Sequence, residues 1–215
     1  MPGVTISAGY GAGGSYVAPA VAAALGYPLL GRAISLDVAA KLRVTLSEAE
    51  EGSPHRSRVD RFFSVLAPLA GGVLGVGTDS SPVDIAAAVA DPEQPFREQA
   101  ESIMREALKA GAVIHGRAGA AAFVNDPSIL RVRLFGPVDA RIAQAARLRQ
   151  VPVDEARTIQ PEVDRARAHY VRRLYNVDID AVDLYELHLN STVIPLDACV
   201  DLIVTAYRAL AVAQA

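Results

Sequence analysis

The N-terminal thirty residues contain the pattern that decides the fold. Residues 4–7 (Val-Thr-Ile-Ser) form a short β-type run, residues 9–14 (Gly-Tyr-Gly-Ala-Gly-Gly) are rich in glycine, and residues 15–25 are alanine-rich and helical in composition. The order predicts a strand, a glycine loop and a helix. Glycines let a backbone curl so that its N–H groups face an anion at a helix N-terminus. The pattern therefore predicts a phosphate-binding loop, with a purely structural turn as the alternative.

Two nucleotide-binding motifs fit this loop. Residues 9–14 match the dinucleotide fingerprint GxGxxG, and residues 8–15 match a Walker A frame in which Ala8 and Gly14 replace the first glycine and the lysine. The dinucleotide motif requires an acidic residue about twenty positions further on, at the end of a strand, but Asp37 lies in a predicted helix. Neither lysine has a tyrosine four residues before it, as a short-chain dehydrogenase requires. Elimination favours a kinase, and a dinucleotide-dependent oxidoreductase remains the alternative.

The bulk composition indicates a folded domain with a small-molecule partner. The chain has 215 residues, of which 51% are apolar, and a mean hydropathy of +0.23, so it can bury a sizeable core in one domain. Its net charge of -3 excludes the broad basic surface of a duplex-binding protein, so no nucleic acid polymer is expected. Only two lysines occur, so the guanidinium groups of arginines, which can form two parallel hydrogen bonds to an oxyanion, are expected to bind any anionic substrate.

Cysteine content and hydropathy predict a cytoplasmic protein without membrane association. The single cysteine, Cys199, excludes an internal disulfide and fits a reducing compartment. The N-terminus has no charged n-region, and the most apolar stretch, residues 66–77, is too short and too rich in glycine to span a bilayer. The apolar stretch 202–212 suits either core packing or a homo-oligomer interface.

The remaining patterns predict a parallel sheet wrapped by helices. After the loop, strands are predicted at residues 29–30, 112–115, 130–135 and 184–189, and helices at 96–110, 138–149, 155–175 and 196–212. Strands that alternate with helices are typical of α/β folds with a parallel sheet. Residues 116–117, Gly-Arg, follow a predicted strand at its carboxyl end, where ligands bind in open α/β sheets.

Several blocks, taken in order, resemble the cytidylate kinase-like family, a branch of the P-loop nucleoside monophosphate kinases. The blocks are residues 4–30 with the exit Leu-Gly-Tyr-Pro, residues 113–117 (Val-Ile-His-Gly-Arg), residues 134–142, the pattern Asp164-x-x-Arg167-x-x-Tyr170, and residues 187–192. The resemblance implies a three-layer P-loop NTPase-type α/β fold, with a parallel sheet flanked by helices, forming a single domain over residues 1–215. Within it, residues of about 31–95 would bind the acceptor, and residues of about 141–176 would form a helical lid.

The resemblance also implies phosphoryl transfer from ATP to a nucleoside monophosphate, with Mg²⁺ bridging the donor phosphates. Arginines and backbone amides suffice for much of this chemistry, which requires positioning and charge neutralisation. The donor phosphates would be bound by Gly11, Ala12, Gly13, Gly14, Ser15 and Tyr16, and Ser15 would also contact the metal. The acceptor phosphate would be held by Arg32 and Arg117, and the transferring group by Arg141, Arg147, Arg149 and Arg167 of the lid.

Departures from the family pattern support a second hypothesis. Gly14 replaces the usual P-loop lysine, although the family often has glycine there, Gly31 replaces an aspartate, and Tyr16 is bulky for a position near a metal. A catalytically weak or inactive relative that binds a nucleotide and acts through partner contacts therefore remains an alternative. The lid arginines could equally form a solvated helix face, and Asp164 and Arg167, three residues apart on one helix, could pair with each other.

Overall fold

A five-stranded parallel sheet forms the centre of the protein. The computed structural model describes residues 3–31 and 94–213. The strands in the described residues are β1 (Gly3–Ala8), β2 (Leu29–Leu30), β3 (Val113–His115), β4 (Ile129–Phe135) and β5 (Leu187–Asn190). Their order across the sheet is β2-β3-β1-β4-β5, and every neighbouring pair is parallel. The predicted α/β class is confirmed.

Helices cover both faces of this sheet. The helices in the described residues are α1 (Gly14–Leu25), α2 (Gln94–Leu108), α3 (Gly119–Ala122), α4 (Val138–Arg149), α5 (Val153–Tyr175) and α6 (Leu196–Ala213). On one face, α1 and α6 pack on apolar side chains of β1 and β4, such as Ile6 and Leu134. Helix α5 lies over the opposite face, where it packs with α3 and α4. Three layers result.

The face beneath α5 has an unusual polar composition. Side chains of a strand alternate between the two faces, so Ser7 of β1 and Arg133 of β4 point away from the apolar side. Arg133 is only 8% exposed. In β4, arginines alternate with apolar residues. This alternation does not identify a solvent-facing side of the strand, because a parallel sheet is covered on both faces.

Two local predictions differ from the structure. The predicted last strand, residues 184–189, begins three residues later as β5, because residues 182–184 form a 3₁₀ turn in which the amide of Leu184 donates to the carbonyl of Ala181. Leu184 and Tyr185 are nonetheless buried against apolar side chains of α5. Because they are apolar and buried, their sequence resembles that of a strand. The four-residue helix α3 was not predicted, since its alanines show no helical periodicity at that length.

The connections after β1, β3, β4 and β5 meet at the carboxyl edge of the sheet, which is where parallel sheets bind ligands. Helices α4 and α5 form a hairpin that crosses this edge, and we call it the α4–α5 hairpin. The hairpin overlaps the region of about residues 141–176 for which the sequence predicted a lid. Most of the predicted acceptor-binding region, about residues 31–95, lies outside the described residues.

Candidate active site

The glycine loop between β1 and α1, residues 9–13, packs tightly against the helices around it. Gly11 and Gly13 have φ values of +77° and +73°, which side chains with a Cβ rarely adopt. A Cβ on Gly11 would lie 2.0 Å from the carbonyl oxygen of Arg141, and a Cβ on Gly13 would lie 2.5 Å from a methyl group of Leu196. Glycine is therefore required at both positions by conformation and by space.

A cleft of about 370 Å³ opens in front of this loop at the N-terminus of α1. The first amides of a helix have no acceptor within the helix, and together with the helix dipole they attract anions. The cleft is lined by glycines 9, 11, 13 and 14, by Tyr10, Ser15 and Tyr16, and by Ala145, Leu148, Arg149 and Arg167 of the α4–α5 hairpin. Its size and donors suit the phosphates of a nucleotide. We call it the loop cleft.

Side chains of the hairpin hold the first half of the loop. The amide of Tyr10 donates to Asp164 Oδ1 at 2.7 Å, and its carbonyl accepts from Arg141 Nη1 at 2.7 Å. Asp164 Oδ2 and Arg141 Nη1 are 2.8 Å apart, so an ion pair spans the Tyr10 backbone. Gln144 Nε2 donates to the carbonyl of Gly11 at 2.9 Å. Asp164 thus pairs with Arg141. It does not pair with Arg167, which was the partner that the sequence suggested.

Arg167 is a buried cation at the centre of the site. It is 8% exposed, its Nη1 donates to the carbonyl of Ala8 at 3.3 Å, and its Nε has no partner in the described part of the chain. Burial lowers the pKa of this guanidinium to about 10; Asp164 opposes the shift, and Arg133 and Arg141 add to it. Arg167 lines the loop cleft and two further cavities.

The two predicted arginines at the end of α4 differ in position. Arg149 lines the loop cleft, where its Nη1 donates to Tyr10 Oη at 2.8 Å and its guanidinium lies 5.9 Å from the centre of the tyrosine ring. Arg147 is exposed and is not among the residues that line the loop cleft. Of the four predicted lid arginines, Arg149 and Arg167 therefore face the loop cleft, and Arg141 is committed to holding the loop.

Arg117 follows β3 at the carboxyl end of this strand, as the sequence predicted. Its φ of +56° is left-handed, and its Nε donates to the carbonyl of Gly31. Burial lowers its pKa, while nearby Tyr170 opposes this; burial also raises the pKa of Tyr170 to about 12. A small cavity of about 40 Å³ joins Arg117, Tyr170 and Arg167. Arg32, the other predicted acceptor ligand, lies outside the described residues.

The predicted metal contact, Ser15, is exposed in the first turn of α1. Mg²⁺ in nucleotide sites is held by one or two protein oxygens together with substrate phosphates, so a hydroxyl beside the loop cleft fits that chemistry. Among the described residues, no group of three or more histidine, cysteine or acidic side chains could hold a metal by itself. The hydroxyl of Tyr16 donates to Asp197 of α6, and this hydrogen bond raises the pKa of the hydroxyl.

Arg133 is the site residue that sequence reasoning missed. Its Nη1 donates to Ser7 Oγ at 2.9 Å, its Nη2 pairs with Asp180, and its Nε has no partner in the described residues. The signal was present, because an arginine near the carboxyl end of a parallel strand is covered by helices on either face of the sheet and lies at the ligand-binding edge.

Comparison with known proteins identifies a family and a fold. The model of the cytidylate kinase-like family matches residues 3–193. A crystal structure of an uncharacterized protein from Eubacterium ventriosum ATCC 27560 is similar with a TM-score of 0.62 and 14% identity, covering 97% of this chain and 99% of that one. Shikimate kinase from Acinetobacter baumannii in complex with shikimate gives a TM-score of 0.45 and 13% identity, covering 97% of this chain and 94% of that one. Comparison with curated proteins gives no significant match.

In residues 3–31 and 94–213, no helix combines the length and apolar character that crossing a bilayer requires.

Proposed function

Because the chain belongs to the cytidylate kinase-like family, we propose that it transfers the terminal phosphoryl group of ATP to a nucleoside monophosphate or a related small acceptor. The position of Arg167 carries this proposal. Its buried guanidinium adjoins both the loop cleft and the Arg117 cavity, between a donor site and an acceptor site. A fixed cation at that point stabilises the negative charge of a transferring phosphoryl group.

The donor phosphates bind in the loop cleft under this proposal. Backbone amides of residue 11 and residues 13–15 surround the β- and γ-phosphates, and Arg149 approaches them from the hairpin. The amides of Ala12 and Tyr16 donate instead to the carbonyls of Gly9 and Gly13. Arg147 is exposed at the same helix end and would reach ATP only from the mouth of the cleft. Arginine and amide donors supply the charge that lysine provides in other P-loop proteins, since Gly14 occupies the lysine position. Ser15 would hold Mg²⁺, which neutralises phosphate charge when bound.

The acceptor binds on the β3 side, with its phosphate held by Arg117 and Arg32. An acceptor phosphate oxygen forms a bond to the γ-phosphorus while the bond from that phosphorus to the β–γ bridging oxygen breaks, and ADP leaves. Arg167 remains beside the phosphoryl group throughout. Arg141 acts as a positioning residue, because its contacts with Asp164 and the Tyr10 carbonyl fix the loop. The hairpin serves as the lid of a single, cytoplasmic kinase domain.

A coupled ADP-release assay with ATP, Mg²⁺ and a panel of nucleoside monophosphates tests the proposal. We expect turnover with at least one monophosphate, and a loss of at least about a hundredfold in kcat/KM for Arg167→Met and for Arg117→Ala. Arg165→Met is the matched control, since this arginine is exposed on the same helix and should leave turnover unchanged. Wild-type activity that survives Arg167→Met would contradict the assignment.

The second candidate, a non-catalytic nucleotide-binding relative, is favoured by one observation. The carboxylate of Asp164 accepts a hydrogen bond from the Tyr10 amide and pairs with Arg141. One amide of the loop and the charge of one lid arginine therefore already have partners within the protein. Under this alternative, ATP raises the unfolding temperature but no monophosphate in the panel is phosphorylated. Protection by NAD and not by ATP would instead support a dinucleotide-dependent enzyme.

A further inference from the structure

A second cavity, of about 260 Å³, lies between the carboxyl ends of β1 and β4, on the face of the sheet that α5 covers. Arg133, Arg141 and Arg167 line it together with Asp164 and Asp180. Each of the three arginines is 8% exposed. Such a density of buried guanidinium groups is unusual, because burying an ion costs several kcal/mol unless it is paired. We call this second cavity the Arg133 cavity.

The pairing of these charges leaves one cation over. Asp180 pairs with Arg133, and Asp164 pairs with Arg141. Arg167 therefore has no carboxylate partner in the described part of the chain, and its hydrogen bond to Ala8 is long, at 3.3 Å. The Nε atoms of Arg133 and Arg167 are both buried without a hydrogen-bond partner there. Two unused donors and one uncompensated positive charge thus belong to arginines that line one cavity.

These donors define the ligand that would complement them. Guanidinium groups bind phosphate oxygens with short, charge-assisted hydrogen bonds, and an oxyanion can satisfy several buried donors at once. We propose that the Arg133 cavity is a second anion site, which binds a phosphate dianion, free or as a monoester, between Arg133 and Arg167. The proposal goes beyond phosphoryl transfer, since it requires only that a phosphate binds and not that ATP is used.

The Arg133 cavity is separable from the loop cleft by its lining. Arg133 and Asp180 line this cavity and not the loop cleft, whereas Arg149 lines the loop cleft and not this cavity. Gly9 and Arg167 are shared, so the two sites lie on either side of the same stretch of backbone. Variants at the unshared positions can therefore change one site without the other.

Asp180 provides the most discriminating variant. Its side chain is 71% exposed, and it occupies one nitrogen of Arg133, so it competes with any incoming anion. Asp180→Asn removes a negative charge from the cavity and should tighten the binding of inorganic phosphate about tenfold. Arg133→Met should weaken it by a similar factor, and Arg165→Met, at an exposed arginine of α5, should leave it unchanged. A merely structural ion pair would give Asp180→Asn no gain in phosphate affinity.

The measurement is a calorimetric titration of the full chain with inorganic phosphate at low ionic strength, repeated with a small phosphate monoester. Stronger binding of the free ion or of the monoester identifies the source of the phosphate, and binding of neither overturns the proposal. It is also overturned if Asp180→Asn fails to raise the affinity, or if Arg149→Met abolishes all phosphate binding. A parallel ADP-release assay separates the two proposals, because the titration requires no turnover.

Discussion

The two halves of the glycine loop are built for different purposes. In the first half, the Tyr10 amide and the carbonyls of Tyr10 and Gly11 are bound by side chains of the α4–α5 hairpin. In the second half, residues 13–15 present the first amides of α1 to an open cleft. One glycine-rich sequence therefore contains a half that is held by side chains and a half that faces an open cleft, and repeats of the same residue type do not reveal this difference.

The largest expected effect comes from filling the space in the first half. Gly11→Ala combines a left-handed φ with a clash against the Arg141 carbonyl, so we expect about 4 kcal/mol of destabilisation. Gly26→Ala is the matched control, because its φ of +67° is similar but no atom lies within 4 Å of an added Cβ, and it should cost about 1 kcal/mol. Urea unfolding of both variants measures the difference. Equal costs would show that packing against the hairpin contributes nothing.

Removing the carboxylate that holds the same half should have the next largest effect. Asp164→Asn breaks the ion pair with Arg141 and weakens the contact with the Tyr10 amide, while Gln160 Nε2, at 2.7 Å, also loses a charged acceptor. We expect a loss of about 2 kcal/mol, since the Asp164 side chain is 26% exposed and solvent compensates part of the change.

Asp139→Asn provides the comparison for this variant. It breaks an exposed pair with Arg157 in the same hairpin and should cost less than about 0.5 kcal/mol in the same unfolding experiment. If Asp164→Asn is as mild as Asp139→Asn, the first half of the loop is not held by this contact.

A smaller effect, on binding and not on stability, is expected in the second half. Arg149→Met should weaken ATP binding about fivefold, because it removes a cation from the loop cleft, while the free energy of unfolding changes by less than about 1 kcal/mol. Fluorescence titration with an ATP analogue measures the affinity. Arg147→Met should reduce affinity less, since Arg147 lies outside the lining of the cleft; equal losses would indicate a diffuse charge effect.

The smallest expected effect is a change in alkaline stability. The hydrogen bond to Asp197 raises the pKa of Tyr16, so its contribution is fully present below the ordinary tyrosine pKa of 10.0 and is lost as pH rises through the higher folded-state value. Tyr16→Phe should remove this dependence, so its stability should fall less steeply above pH 10 than that of the wild type. Parallel alkaline slopes in thermal unfolding would exclude the contact.

Most of the fold was predictable because its signals are local. The β1 strand, the glycine loop and α1 follow from runs of apolar residues, glycine and alanine, and α4 has the predicted bounds of Val138–Arg149. The start of β5 was not predictable, since Leu184 and Tyr185 are buried against α5 although they precede the strand. The contacts of the candidate site residues were not predictable, because Arg141 and Arg149 have the same chemistry and differ only in what surrounds them.

The sequence by itself determined the parallel α/β class and the family, since each depends on residue type and order along the chain, and it predicted an anion-binding loop. Only the tertiary structure decided which arginines have carboxylate partners. Asp164 neutralises Arg141 across 23 positions, and Asp180 neutralises Arg133 across 47, while Arg167 is left without a carboxylate in the described residues. Such pairings depend on how helices cross the edge of the sheet, and no local pattern encodes that distance.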